Sequence, residues 1–266
     1  MMHLLSPAKL NLFFHVLKKR EDGYHEIASL FHTVSLFDKV SICLTGEDLF
    51  RCSEKKLETS QNLILKALNA FRQKTNLNHP VAIELEKNIP IEAGLGGASS
   101  NAATVLWGLN ELFEKPLPLI ELKEIAQTIG ADVPFFFSNG CALCTGIGEK
   151  MEKMKIPAFN TTIVKPNFGL STPLVYQKCE PKWVDYRETV RKFLEGKPSY
   201  FNDLEKAAIK INPNFLEFKN KLSQTQKVCM TGSGSAFFCM GNVDSKISDC
   251  SYYPVQSVLR EESSWY

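Results

Sequence analysis

Residues 89–109 read IPIEAGLGGASSNAATVLWGL, in which Gly94, Gly96, Gly97, Ser99 and Ser100 run straight into an apolar pattern of helical period. Glycine inside a helix costs roughly 0.5–1 kcal/mol relative to alanine, so crowding glycines at the mouth of one demands a reason. A helix start carries unpaired N–H groups and the positive end of the helix dipole. Together these attract phosphate. Glycine permits unusual dihedrals and lets an anion reach the amides without meeting a Cβ. Ala98, Ser99, Ser100, Ala102 and Ala103 keep the first turn open. The serine hydroxyls can cap amides, touch phosphate oxygen or ligate magnesium. The expectation is a polyphosphate held where a strand over 81–86 delivers the chain to a helix over 99–113. A tight turn with a close helix contact is the plainer alternative.

The common phosphate-binding motifs do not fit. A P-loop needs Gly-Lys followed by Ser or Thr, but the only Gly-Lys pair is Gly196-Lys197, with Arg191 in place of the first glycine and Pro198 after it. Ser99 stands where the dinucleotide fingerprint needs its last glycine. The His-Arg-Asp and Asp-Phe-Gly signatures of protein kinases are absent.

A chain of 266 residues suits one large domain or two small ones. Its 31 basic and 29 acidic residues leave a net charge of +2, which gives no field for nucleic acid or a membrane surface. No apolar run approaches the ~20 residues of a bilayer span, and the N-terminal stretch reads as a strand, not a signal peptide. Eight cysteines without an export signal suggest reduced thiols in a cytoplasm. The one close pair, Cys141 and Cys144, lacks the second pair a zinc site would want, so buried strand thiols are the better reading.

Alternation over 8–17 places Leu10, Leu12, Phe14 and Val16 on one strand face and Lys9, Asn11, Phe13 and His15 on the other. One or two strands follow over 34–44. Ile64, Ala67, Leu68 and Phe71 mark a helix over 62–74, and Leu122, Ile125, Ala126 and Ile129 mark another over 119–129, with Gly130 as its C-cap. A strand fits 141–145. The charged segment 148–158 predicts a boundary, giving domains 1–156 and 157–266. Beyond it come a strand at TTIVKP, a loop at NFGLSTP, helices to about 220, and strands KVCM and AFFCM around Thr231-Gly-Ser-Gly-Ser235. Strands alternating with helices, interspersed with hairpin-like pairs, read as α+β.

Taken alone, Asp132, ahead of Phe135-Phe-Phe137, is a turn aspartate or a base in a dry cleft. Lys9 and Asn11 could be a solvated edge. Tyr24 and His25 follow the Asp22-Gly23 turn, and Asn62 can cap the helix it opens. Gly232 and Gly234 suit a hairpin turn or a contact with substrate phosphate.

Three motifs in order, Ser6-Pro-Ala-Lys-Leu-Asn11, Pro90-Ile-Glu-Ala-Gly-Leu-Gly-Gly-Ala-Ser-Ser100 and Thr231-Gly-Ser-Gly-Ser-Ala236, resemble those of the galactokinase, homoserine kinase, mevalonate kinase and phosphomevalonate kinase superfamily. The resemblance spans nearly the whole chain. It implies two lobes, the first like domain 2 of ribosomal protein S5 and the second ferredoxin-like, with the active site in the cleft. Arg20-Glu-Asp-Gly-Tyr-His25, Gly130-Ala-Asp-Val-Pro134 and Phe201-Asn-Asp203 are similar to a narrower branch. Its members phosphorylate the 2-hydroxyl of a cytidine-diphosphate-linked methylerythritol, on the non-mevalonate route to isoprenoid precursors.

That resemblance implies ATP as co-substrate with Mg2+. It implies a small-molecule acceptor carrying a cytidine diphosphate group, with neither nucleic acid nor membrane as partner, and a monomer or weak homodimer. Asp132 would be the catalytic base, and Lys9 would contact the attacking hydroxyl or Asp132. Asn11 would hydrogen-bond the substrate. Tyr24 and Tyr176 would sandwich the cytosine while His25 reads its edge. Pro90, Gly94, Leu95, Gly96, Gly97, Ala98, Ser99 and Ser100 would hold ATP, with Asn62 near adenine; no metal ligand is assigned beyond Ser99 or Ser100. Ala98 stands where the family often has glycine, and Glu92-Ala93 where it has small residues. Ala98 is therefore expected to be helical, and Glu92 to point away from the phosphates.

Overall fold

Two long strands frame the first sheet. In the computed structural model, which describes residues 1–224, 227–241, 243, 247–261 and 263–266, β1 (Met2–Lys19) and β2 (His25–Leu44) pair antiparallel along their length. β2 is one continuous strand, and it begins nine residues before the expected 34. The register slips between Asn11 and Phe13, and such a bulge moves every later side chain to the other face. Phe13 therefore joins Ala8, Leu10 and Leu12 in one cluster, while Phe14 and Val16 join Ile27 in another. This corrects the uninterrupted alternation expected over 8–17. Residues 6 to 14 are buried on both faces, so Lys9 and Asn11 are no solvated edge.

The first sheet continues through β3 (Leu49–Cys52), α1 (Leu63–Thr75), β4 (Val81–Glu86), α2 (Gly97–Leu112), α3 (Leu119–Ile129), β5 (Cys141–Gly146) and β6 (Lys150–Lys153). β4 and β5 share one edge of β2: residues 39–44 pair with β4 and 27–32 with β5. The helices cover one face, where Phe71, Leu109 and Leu122 pack with Val40, Ile42 and Ile83. Gly130 closes α3, as expected, by donating to Ala126 O, but in extended rather than left-handed conformation. The pairing of β6 with β5 carries the first sheet to Lys153, inside the segment expected to be a boundary.

The second half supplies β7 (Asn160–Pro166), α4 (Thr172–Lys178), α5 (Tyr186–Leu194), β8 (Phe201–Asn202), α6 (Glu205–Ile211), α7 (Asn214–Ser223), β9 (Val228–Met230), β10 (Phe237–Met240) and β11 (Cys250–Gln256). A four-stranded antiparallel sheet runs β11-β7-β10-β9. β8 instead returns to the first sheet, parallel to β1. Leu10 and Leu12 share a core with Ile163 and Phe238, so apolar packing joins the two sheets. The loop expected at NFGLSTP becomes helical at Thr172, which places Tyr176 on α4. Among the described residues no helix is long and apolar enough to cross a membrane, and no group of three or more His, Cys, Asp or Glu could hold a metal. All eight cysteines are free, and burial pushes the Cys141 thiol up to about 12.

Candidate active site

Backbone contacts bring the three motifs together. Lys9 N–H donates to Leu95 O at 2.9 Å, tying the first motif to the second. Asn11 N–H donates to Thr231 Oγ1 at 3.0 Å, tying the first to the third. Ser235 and Ala236 N–H donate to Glu92 O and Ala93 O at 3.3 and 3.2 Å, tying the third to the second. Asn202 holds the third motif from beneath through Met230 O and Gly232 O. Around this junction lies a cavity of about 1010 Å³ whose wall includes every expected site residue except Asn11 and Ser100.

The glycines serve a purpose the sequence did not show. Gly94 is left-handed (φ +73°), and a Cβ there would stand 2.2 Å from Thr231 O. A Cβ on Gly232 (φ +55°) would stand 2.6 Å from Gly94 O. At Gly96 (φ +69°) a Cβ would meet Lys9 Cγ at 2.9 Å, and at Gly97 it would meet Ile89 Cγ2 at 3.1 Å. In all four cases the missing Cβ faces protein, which corrects the expectation that it clears a path for an anion. The glycines let chain segments touch. Gly96 is the N-cap of α2, whose first intrahelical bond is Ser100 N–H to Gly96 O. The earlier N–H groups, at Gly97, Ala98 and Ser99, are thus the helix's orphan donors. Ala98 is helical, as expected.

Lys9 is 3% exposed and its Nζ lies 3.3 Å from Asp132 Oδ2. Nζ also donates to Asn11 Oδ1 at 2.7 Å. Asn11 Nδ2 donates to Ser29 Oγ, and Ser29 donates to Phe13 O at the bulge. Both polar ends of Asn11 are therefore engaged within the protein and the residue is fully buried. It holds Lys9; the direct bond to substrate expected of it has no counterpart on the cavity wall, which Asn11 does not border. Asp132 is about one-third exposed at the cavity, anchored by the buried Pro134–Phe137 turn.

Tyr24 is 58% exposed at the rim of the cavity. His25 is buried beside Tyr176, with ring centroids 5.3 Å apart. Burial, helped by the charge of Lys19, pushes the His25 imidazole below its ordinary range. A neutral imidazole presents one donor and one acceptor. Burial, then the Asp132 charge, pushes the Tyr176 hydroxyl up, so it stays protonated.

At the far end, Asn62 caps α1: Oδ1 accepts from Ile64 N–H and Nδ2 donates to Leu57 O. It borders the cavity with both polar ends engaged. Ser100 is buried and accepts from Ser6 Oγ at 2.8 Å, so of these two serines only Ser99 borders the cavity. Glu92 is left-handed (φ +53°), with its carboxylate against Gly169 and near Lys165, turned toward the second half of the chain.

Sequence reasoning missed one assembly. Asp38 is fully buried, paired with Lys87, and accepts from Asn88 N–H, Ile89 N–H and Asn101 Nδ2 at 2.7–2.8 Å. Asn101 Nδ2 also reaches Ser6 Oγ. The group fixes the entry to the glycine loop against the first turn of α2. Its signal was available: an aspartate within the apolar run Ser35-Leu-Phe-Asp-Lys-Val40 needs partners to be buried.

The family profile described as GHMP kinases N terminal domain matches residues 62–140. The 4-diphosphocytidyl-2-C-methyl-D-erythritol kinase of Protochlamydia amoebophila is 43% identical over 269 residues, covering 100% of this chain and 93% of that protein. The chain belongs to the 4-diphosphocytidyl-2-C-methyl-D-erythritol kinase family. The chloroplastic/chromoplastic kinase of that name from Solanum lycopersicum is 35% identical, covering 99% of this chain and 72% of its own. A crystal structure of 4-(cytidine 5'-diphospho)-2C-methyl-D-erythritol kinase superposes with a TM-score of 0.82 at 30% identity, over 97% of this chain and 99% of that one. Homoserine kinase from Cytophaga hutchinsonii, at 14% identity and TM-score 0.71 over 98% and 96% of the two chains, shares the fold. The architecture is thus the α+β, two-lobed fold of these kinases.

Proposed function

We propose that the chain transfers the γ-phosphoryl group of ATP to the 2-hydroxyl of 4-diphosphocytidyl-2-C-methyl-D-erythritol, giving the 2-phosphate and ADP, in the non-mevalonate route to isopentenyl diphosphate. One observation carries this reading. The Lys9–Asp132 pair opens on the same cavity as the first turn of α2 and the His25–Tyr176 wall. A base, a phosphate cradle and an aromatic base-binding wall on one cavity suit a nucleotide-linked alcohol and a triphosphate.

Asp132 accepts the hydroxyl proton as the oxygen attacks the γ-phosphorus, and the bond to the bridging β–γ oxygen breaks to release ADP. Lys9, whose Nζ lies 3.3 Å from that carboxylate, favours the developing alkoxide by its charge. The orphan N–H groups at Gly97, Ala98 and Ser99 hold phosphate oxygens. Tyr24 and Tyr176 flank the cytosine, and neutral His25 pairs with its polar edge. A magnesium ion fits here, because such ions take most ligands from phosphate and water; Ser99, which borders the cavity, is the residue that would help hold it. Bound there, it would neutralise triphosphate charge. In this reading residues 1–156 form the ATP-side lobe and 157–266 the substrate-side lobe. In this reading the protein works in the cytoplasm as a monomer or weak homodimer.

The test is ADP release by the purified protein with ATP and magnesium, comparing the cytidylyl acceptor with mevalonate and homoserine. Turnover with the first alone is expected. Turnover with another alcohol would keep the phosphoryl transfer and discard the base-binding wall. No turnover with any acceptor, alongside ATP binding, would refute the reading.

A further inference from the structure

Lys9 carries a charge in a nearly closed site, and the question is what offsets its lost hydration. An ammonium has three donors. Asn11 Oδ1 accepts from one, and the Asp132 carboxylate forms an ion pair with the ammonium at 3.3 Å. A further neighbour is an aromatic face: Nζ lies 4.3 Å from the centroid of the Phe31 ring. The sheet register produces this contact. Lys9 stands opposite Thr33 and Asn11 opposite Phe31, so Lys9 and Phe31 are diagonal neighbours on one face. Phe31 is 1% exposed and does not border the cavity. Its ring meets Phe135 edge-on at 5.2 Å, and Phe135 belongs to the turn that follows Asp132.

We propose that Phe31 is a positioning residue for phosphoryl transfer: its ring face holds the Lys9 ammonium toward Asp132 and the acceptor hydroxyl. A second carboxylate at this place would compete with Asp132 for the ammonium and cancel its charge. An aliphatic side chain would leave the charge desolvated without return. The ring's negative face attracts the cation without competing for its contacts with Asn11 and Asp132. This inference rests on the function proposed above.

Fluorination separates the ring's charge distribution from its size. Nonsense suppression would place 4-fluoro-, 3,5-difluoro- and 3,4,5-trifluorophenylalanine at position 31, and the same series at Phe71, a buried ring in the helical core, as control. With the cytidylyl acceptor, kcat at position 31 is expected to fall stepwise, by about 30-fold in total, the worth of a desolvated cation–π contact. The KM for ATP and the thermal midpoint should hold, and the Phe71 series should stay flat. A flat kcat series at position 31 overturns the proposal, even if Phe31→Leu is slow, because packing alone would then explain the leucine variant. Equal losses in both series overturn it too. The wild-type arm separates the two readings: no ADP from wild type refutes the function, whereas an active wild type with a flat series refutes only the role of Phe31.

Discussion

Gly94→Ala tests whether the glycine loop is held by the third motif. The added methyl would stand 2.2 Å from Thr231 O and 3.0 Å from Gly234 N, both backbone atoms that cannot rotate aside. Alanine at φ +73° also carries left-handed strain, worth about 1–2 kcal/mol. Forcing extra volume into a packed place costs about 1–3 kcal/mol more, so the total is about 2–5 kcal/mol. Gly196→Ala supplies the comparison: its φ is +71°, yet nothing lies within 4 Å of the new methyl, leaving about 1–2 kcal/mol of strain alone. Denaturant unfolding of the two variants measures the difference, expected at about 1–3 kcal/mol. Gly94→Ala should also raise the KM for ATP, because a displaced Gly94 moves the start of α2, while the acceptor KM changes less. If Gly94→Ala proves no more destabilising than Gly196→Ala, the contact between the loops is not the reason for glycine at 94, and the argument fails.

Asp132→Asn should remove the base, lowering kcat by about 10²–10⁴, with ATP affinity by calorimetry retained; undiminished turnover would exclude the base assignment. Asp38→Asn leaves Lys87, whose side chain is 6% exposed, without its counter-charge, and should cost about 3–5 kcal/mol in denaturant unfolding; a loss below about 1 kcal/mol would show the pair to be dispensable. Burial, helped by Lys19, holds His25 below its ordinary pKa, and burial does the same for His32 against a bond to Thr33 O. Below about pH 6.5 the unfolded chain therefore binds more protons than the folded one. This stability is fully present above about pH 6.5 and is lost as the pH falls through the lowered folded values. The thermal midpoint should drop across that window, and a rise on acidification would contradict the burial of both rings.

Wherever local periodicity decided an element, the sequence was readable. α1, β4 and α3 lie within a residue or two of the expected 62–74, 81–86 and 119–129, because each carries its stripe or alternation within a short window. Asp132 and Lys9 were found by resemblance, and the structure places them 3.3 Å apart. What stayed hidden was long-range. The bulge after Asn11 leaves no mark in composition, yet it decides which ring faces which core. The spacing of Lys9 and Asn11 gives a shared face, but not that Asn11 turns both polar ends inward.

The glycine stretch shows most clearly where reading by residue type stops. A sequence reports that a Cβ is missing, not which neighbour needs it missing. A ligand and a protein backbone demand the same residue, so three glycines before a helix fit both. At Gly94 the neighbour is Thr231 O, on a loop whose Thr231 side chain is bonded to an amide 220 residues away in sequence, at Asn11. The two demands meet at one junction. Contact between the glycine loops sets where α2 begins, and the start of α2 sets where its orphan N–H groups point. In the proposed reading, glycine at 94 and 232 acts on a phosphate through backbone position, without needing to touch it. Substituting Gly232 should therefore disturb ATP binding even though it precedes β10 in the other half of the chain.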